Sequence, residues 1–133
     1  MLPMTTLLAS ILALFYFWLS MQVIKQRRRH QVLIGTGGER DLEWAVRSHA
    51  NFAEYVPITL VLFGCAEFNQ SPGWLLGVFA VLLLAGRAVH AYGFLYARER
   101  VDLRISGMKL TFLTLNGLAV WNIGFLVYNR LVA

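Results

Sequence analysis

Four side chains that can bind a ligand recur at helical spacing in one stretch of the chain. They are Arg47, Asn51, Glu54 and Tyr55. Offsets of four, seven and eight residues from Arg47 place them on one face of an α-helix, here named the polar stripe. Arginine can hold a carboxylate through two parallel hydrogen bonds, glutamate can accept from an ammonium or amide group, and asparagine can do either. The polar stripe therefore predicts a site for an anionic, peptide-like ligand.

A second set follows later in the chain, where His90 and Phe94 lie three and seven residues after Arg87. Depths counted inward from the predicted helix ends place Glu54 level with Arg87 and Asn51 level with His90, if two antiparallel helices carry them. Two interpretations stay open. These residues line a ligand cavity, or they form a buried ion pair and a hydrogen bond that only fix the helix register.

Two further residues near the polar stripe have separate roles. His49 lies roughly 160° round the helix from the centre of the stripe, so a different neighbour is expected for it. Pro57 removes the backbone hydrogen bond to Ala53 and is expected to kink the helix and widen a pocket there.

The elements that position these residues are predicted to be membrane-spanning helices. Apolar residues make up 58% of the 133 residues and charged residues 14%, whereas soluble domains have about 45–50% and 25%. Residues 4–24 and 110–129 carry no charge, and about 20 apolar residues cross a hydrocarbon core of roughly 30 Å. A cleaved signal peptide fits the first stretch poorly, because basic residues follow it instead of preceding it.

The predicted fold is an all-α integral membrane protein with one domain, an antiparallel bundle of four transmembrane helices. The helices are expected at roughly 3–26, 41–69, 72–99 and 107–130. Asp41 is the expected N-cap of the second helix. Ser71 is the expected N-cap and Pro72 the first-turn proline of the third, and Ser106 with Gly107 precedes the fourth.

Most of the basic residues lie in two connections between helices. Nine of the twelve Lys and Arg fall in 25–40 and 98–109, and the net charge is +5. The positive-inside rule places both basic loops in the cytoplasm and both termini outside. Nucleic acid is not an expected partner, and no metal site is predicted because the three histidines match no ligand spacing.

The pattern R-x-x-x-N-x-x-E-Y-x-P at 47–57 resembles the helix-2 signature of the MAPEG family, the membrane-associated proteins in eicosanoid and glutathione metabolism. The segment AGRAVHAYGF at 85–94 is similar to the helix-3 segment of that family. RISGM at 104–108 is similar to the opening of helix 4 in its small bacterial members. The likeness extends over nearly the whole chain.

The resemblance implies a homotrimer in a bacterial inner membrane, with glutathione bound between subunits toward the cytoplasmic side. The residues implied to bind it are Arg47, Asn51, Glu54, Tyr55, His90 and Phe94. His90 and Phe94 stand where family members often carry tyrosines. Arg87 and His49 are structural partners or partners of the site.

The implied chemistry uses glutathione as cosubstrate in a transferase or peroxidase reaction on a lipophilic electrophile or hydroperoxide from the bilayer. A free thiol has a pKa of about 8.5, and lowering it by two units takes roughly 2.7 kcal/mol of selective thiolate stabilisation. Family analogy assigns this to an arginine near the junction of helices 3 and 4. Arg104 is favoured, with Arg98 and Arg100 as alternatives.

Two other functions stay open. The absence of tyrosine at positions 90 and 94 agrees with a non-catalytic lipid-binding or scaffold protein of the same fold. A glutathione-assisted isomerase of a lipid peroxide is the third hypothesis.

Overall fold

Four α-helices make up most of residues 1–132, the part of the chain that the computed structural model describes. In chain order they are α1 (Pro3–His30), α2 (Arg40–Phe68), α3 (Gly73–Leu95) and α4 (Val101–Val132). Within residues 1–132 there is no β-strand. The predicted all-α architecture is confirmed.

Short connections make successive helices antiparallel neighbours. α1 packs on α2, α3 packs most extensively on α4, and α2 also contacts both α3 and α4. The core between them is apolar, and its fully buried side chains include Leu12, Phe63, Leu83 and Leu118. α2 therefore connects the two helical pairs, and it is the helix that carries the polar stripe.

Three helices, α1, α3 and α4, are long and apolar enough to cross a membrane. α2 has 29 residues, a length of about 43 Å at 1.5 Å per residue, but its charged side chains make it the more polar helix. Large apolar side chains such as Leu14, Phe17, Val81 and Val120 point outward and are mostly exposed. An apolar exterior of this kind suits contact with lipid.

The first connection is shorter than predicted at both ends. α1 continues through the basic run to His30, because Lys, Arg and Gln are good helix formers and positive charge is favourable at a helix C-terminus. α2 begins at Arg40 with Glu39 at the N-cap. The Asp41 cap was a wrong prediction, since its carboxylate lies in the first turn and pairs with Arg98.

The connection between α3 and α4 is also shorter than predicted, because α3 ends at Leu95 and α4 begins at Val101. The segment VDLRIS contains no helix breaker and has Asp102 in the first turn, where negative charge is favourable. Gly107 therefore lies inside α4 and not before it. It is needed for packing, because a Cβ at Gly107 would lie 2.6 Å from the Cβ of His90 on α3.

At the opposite end of the bundle, hydrogen bonds join the helix ends. Ser71 does not cap α3, since Pro72 occupies the N-cap position, and the Ser71 hydroxyl accepts from the indole N–H of Trp121 at 2.7 Å. The Glu67 carboxylate accepts from the backbone N–H and the hydroxyl of Thr5, both at 2.6 Å. Glu67 thereby satisfies the free N-terminal donors of α1.

Candidate functional site

The polar stripe lies on one continuous helix, as its spacing predicted, because α2 runs through all four positions. Arg47 and Glu54 are exposed in the single chain, and Asn51 and Tyr55 are half-buried. The two charged members thus point away from the bundle. The polar stripe is therefore an exposed surface with a positive charge at Arg47 and a negative charge at Glu54.

The other side of α2 faces α1. The His49 ring stacks on Tyr16 with centroids 4.6 Å apart, and its Nε2 lies 3.1 Å from the Ser20 hydroxyl oxygen. The prediction of a different neighbour for His49 is confirmed. A cavity of about 270 Å³ lies beside Ala53 and Pro57 and is lined on its other side by α1. The space next to Pro57 therefore opens away from the polar stripe.

Arg87 lies between the helices in the core and is 1% exposed. Its Nη2 donates to the Asn51 side-chain oxygen at 2.8 Å, and its guanidinium lies 6.0 Å from the Phe52 ring centre. Its Nε and Nη1 have no partner in the described part of the chain. A buried guanidinium that pairs with an amide instead of a carboxylate is energetically costly, so this arrangement needs a functional explanation.

The ion pair expected between Glu54 and Arg87 is not formed among the described residues, and the partner of Arg87 lies about one helical turn before Glu54 on α2. α3 ends at Leu95 and not near residue 99, so Arg87 lies one turn closer to that end than the depth count assumed. An extended arginine side chain also reaches farther than one turn of about 5.4 Å. Arg87 therefore contacts Asn51, and the predicted pairing of Asn51 with His90 is replaced.

A groove with a volume of about 410 Å³ opens between the end of α3 and the start of α4. Its lining consists of His90, Phe94, Arg104, Ile105, Met108, Lys109 and Phe112. Both predicted α3 residues are thus brought together with the favoured arginine. The other α4 residues of this lining were not among the predicted site residues. Spacings of four and eight residues after Arg104 were the signal for Met108 and Phe112.

Aromatic contacts connect this groove to the polar stripe. The Tyr55 ring meets the Phe112 ring edge-to-face with centroids 5.3 Å apart. The Arg104 guanidinium lies 4.7 Å from the Trp44 ring centre and 5.1 Å from that of Phe94. Such cation–π contacts hold the charge in place without neutralising it. The contact of Trp44 with Arg104 was not predicted from the sequence.

The three candidate arginines differ in their partners. Arg98 hydrogen-bonds the Asp41 carboxylate, and Arg100 pairs with Asp102, Nη2 to Oδ2, at 2.8 Å. Arg104 has no carboxylate partner among the described residues. Among the three candidate arginines, Arg104 is therefore the one whose charge is not paired with a carboxylate. Lys109 is a second cation in the groove lining, also without an ion pair among the described residues.

The ion pair between Asp41 and Arg98 predicts a pH-dependent stability. The Arg98 guanidinium holds the pKa of the Asp41 carboxyl below its usual range. A depressed folded-state pKa stabilises the protein above the unfolded pKa and stops doing so as the pH falls through the folded pKa. We expect Asp41→Asn to lower stability by about 0.5–1 kcal/mol at neutral pH, with a difference that shrinks below about pH 4.

Chemical denaturation in detergent across this pH range measures the effect. Glu99→Gln is the control, because Glu99 is exposed and has no ion pair among the described residues. A difference between wild type and Asp41→Asn that does not change with pH would contradict the ion-pair explanation.

Comparison with known proteins agrees with this arrangement of helices. The MAPEG family model matches residues 5–124, which include part of every helix. The chain is 34% identical over 122 residues to inner membrane protein YecN of Escherichia coli strain K12, and the match covers 92% of each chain. The values are the same for YecN of Escherichia coli O6:H1. With its apolar helices and a match of this length, the chain is an integral membrane protein that belongs to the MAPEG family.

Proposed function

We propose that this protein is a glutathione-dependent transferase or peroxidase that acts on lipophilic electrophiles or hydroperoxides. It works as a homotrimer in a bacterial inner membrane, the location named for its YecN relative. Both basic connections face the cytoplasm, where glutathione enters. Glutathione is the cosubstrate, and no metal takes part.

The observation that carries this proposal is the environment of Arg104. Its guanidinium has no carboxylate partner among the described residues and lies at an apolar groove. A positive charge favours the thiolate form of a bound thiol over the neutral form. An apolar surrounding strengthens that preference, because charges interact more strongly away from water.

Glutathione has two carboxylates and one ammonium, which suits the mixed charges of the polar stripe. Arg47 pairs with a carboxylate, Glu54 with the ammonium, and Tyr55 adds a hydroxyl. Arg47 and Glu54 are exposed in the single chain. Charges left facing lipid are costly, so the exposure supports a site that a neighbouring subunit closes. His90 and Phe94 of the groove wall lie next to the reacting thiolate.

The second substrate reaches the thiolate from the bilayer. The groove at Arg104 shares Lys109 and Phe112 with a larger groove of about 880 Å³ that follows α4 to Tyr128. Together they offer an apolar path long enough for a hydrocarbon tail. In conjugation, the thiolate forms a carbon–sulfur bond, a halide leaves the electrophile, and the thiol proton goes to solvent.

A glutathione titration by calorimetry in detergent tests the proposal. We expect wild type to bind and Arg47→Ala and Glu54→Ala each to bind at least about tenfold more weakly, since a lost charge-assisted hydrogen bond is worth about 1.5–3 kcal/mol. Arg130→Ala is the charge control, because Arg130 lies in the last turn of α4 at the other end of the bundle. A wild-type protein that neither binds nor consumes glutathione would overturn the proposal.

A second candidate is a lipid-binding protein without catalysis. The large apolar groove along α4 favours it, as does the presence of His90 and Phe94 in place of tyrosines. Bound lipid together with no thiol consumption across a panel of electrophiles would support this function. Conversion of a lipid peroxide without loss of glutathione would instead indicate an isomerase.

A further inference from the structure

The contact between Arg87 and Asn51 determines which atom of the Asn51 amide, the oxygen or the nitrogen, faces Arg87. A guanidinium carries only donors, so its partner atom must be an acceptor. The contact of 2.8 Å from Arg87 Nη2 therefore requires the oxygen of Asn51 and not its nitrogen. Rotating the amide by half a turn would bring its N–H groups against those of the guanidinium and lose a charge-assisted hydrogen bond.

Arg87 itself is out of reach of a ligand on the polar stripe. It is 1% exposed, and Gly86 beside it sits against α4, where a Cβ would meet the Gly107 carbonyl oxygen at 3.0 Å. The backbone that carries Arg87 is therefore held against α4. The hydrogen-bonded connection from Arg87 to the polar stripe runs through the Asn51 amide.

The amide nitrogen of Asn51 is free to bind a ligand. It donates to no protein atom in the described residues, and it is not one of the buried polar atoms that lack a partner there. Asn51 is half-buried between Arg47 and Glu54 on the polar stripe. Its nitrogen therefore has access to the surface on which the ligand is expected.

We propose that Arg87 is a positioning residue, which holds the Asn51 amide so that Asn51 serves the ligand site as a hydrogen-bond donor. The amide then donates to a carbonyl or carboxylate oxygen of the ligand. This inference rests on the proposed function, with glutathione as the ligand. An asparagine side chain can donate or accept a hydrogen bond. With the oxygen of Asn51 held by Arg87, Arg47 and Asn51 are the donors of the polar stripe and Glu54 is its acceptor.

Asn51→Asp separates this role from folding. An aspartate accepts the hydrogen bond from Arg87 and adds a charge pair, but it cannot donate to a ligand. We expect the Tm in detergent to stay the same or rise, while the Kd for glutathione increases at least about tenfold because a donor is lost and a carboxylate is added. Unchanged or tighter glutathione binding by Asn51→Asp would overturn the proposal, since it would mean that Asn51 offers its oxygen to the ligand.

A double-mutant cycle tests whether Arg87 acts through Asn51. We expect Arg87→Met to weaken glutathione binding about tenfold in wild type and less than twofold in an Asn51→Ala background, because coupled residues give non-additive effects. Arg87→Lys keeps the positive charge and an ammonium group that can donate to Asn51, so it should recover part of the affinity. Additive losses would indicate a merely structural Arg87 and contradict the inference.

A measurement without ligand keeps the two proposals distinguishable. In a protein labelled with ¹⁵N-asparagine, the Asn51 side-chain amide signal is assigned by its loss in Asn51→Asp. We expect a rigid amide in wild type and a mobile one in Arg87→Met. An equally rigid amide in both would overturn the positioning role. Absence of glutathione binding to wild type with this difference intact would overturn the proposed ligand alone.

Discussion

Replacing Arg104 with glutamine is expected to raise the pKa of the bound glutathione thiol by about two units, which corresponds to roughly 2.7 kcal/mol of lost thiolate stabilisation. Glutamine keeps much of the aliphatic stem, which packs against Gly93, but it has no charge. Below both pKa values, the thiolate population should fall about 100-fold. Titration of the ultraviolet absorbance of the bound thiolate measures the shift.

The conjugation rate should fall less than the thiolate population. A thiolate with a higher pKa is more nucleophilic, with a Brønsted coefficient of about 0.4–0.5. A thiolate whose pKa is two units higher therefore reacts roughly six- to tenfold faster. Combined with the smaller thiolate population, the conjugation rate should fall at least about tenfold. Arg104→Lys keeps the charge and should retain most of the pKa shift.

Arg100→Gln is the matched control for Arg104→Gln. Arg100 belongs to the same connection, but it is exposed and paired with Asp102. Its loss should change the thiol pKa little. An unshifted thiol pKa in Arg104→Gln, or an equal shift in both variants, would contradict the assignment of Arg104.

Gly107→Ala is expected to cause the largest loss of stability among these substitutions. The new Cβ would lie 2.6 Å from the Cβ of His90 and 2.7 Å from the carbonyl oxygen of Gly86. Backbone atoms cannot turn aside as a flexible side chain can, so α3 and α4 must separate. Overpacking of this kind costs about 1–3 kcal/mol, and the Tm in detergent should fall accordingly.

Gly124→Ala is the matched control, because it makes the same change on the same helix where no atom lies within 4 Å of the added Cβ. Alanine in a helix interior is about 0.5–1 kcal/mol more favourable than glycine. The two variants should therefore shift the Tm in opposite directions. Equal shifts in one direction would contradict the close crossing of α3 and α4 at Gly107.

Separation of α3 and α4 should also change the shape of the groove at Arg104. His90 both contacts the crossing at Gly107 and lines the groove. Its displacement changes the shape of the cavity in which the thiolate is proposed to react. Gly107→Ala should therefore lower conjugation even at temperatures at which the variant stays folded.

The features that depend on local pattern could be predicted from the amino-acid sequence. Uncharged runs of membrane-spanning length indicated the helical bundle, and the spacing from Arg47 to Tyr55 placed the polar stripe on one face of a helix. The same periodicity predicted that His49 lies on another face of the helix, and its neighbour there is α1. These predictions hold because helix geometry relates residues only a few positions apart.

Contacts between residues that are distant in the chain could not be predicted in this way, because they depend on how the helices pack. Depth counting placed Glu54 level with Arg87, but the hydrogen-bond partner of Arg87 is Asn51, since an error of one turn at the end of α3 changes the partners expected for its residues. Which of the three candidate arginines lacks a carboxylate partner likewise depended on where Asp41 and the other carboxylates lie. Contacts of this kind depend on helix ends, side-chain reach and close approaches, such as that at Gly107. None of these features follows a periodic pattern in the sequence. They depend on one another through the close packing of the whole bundle.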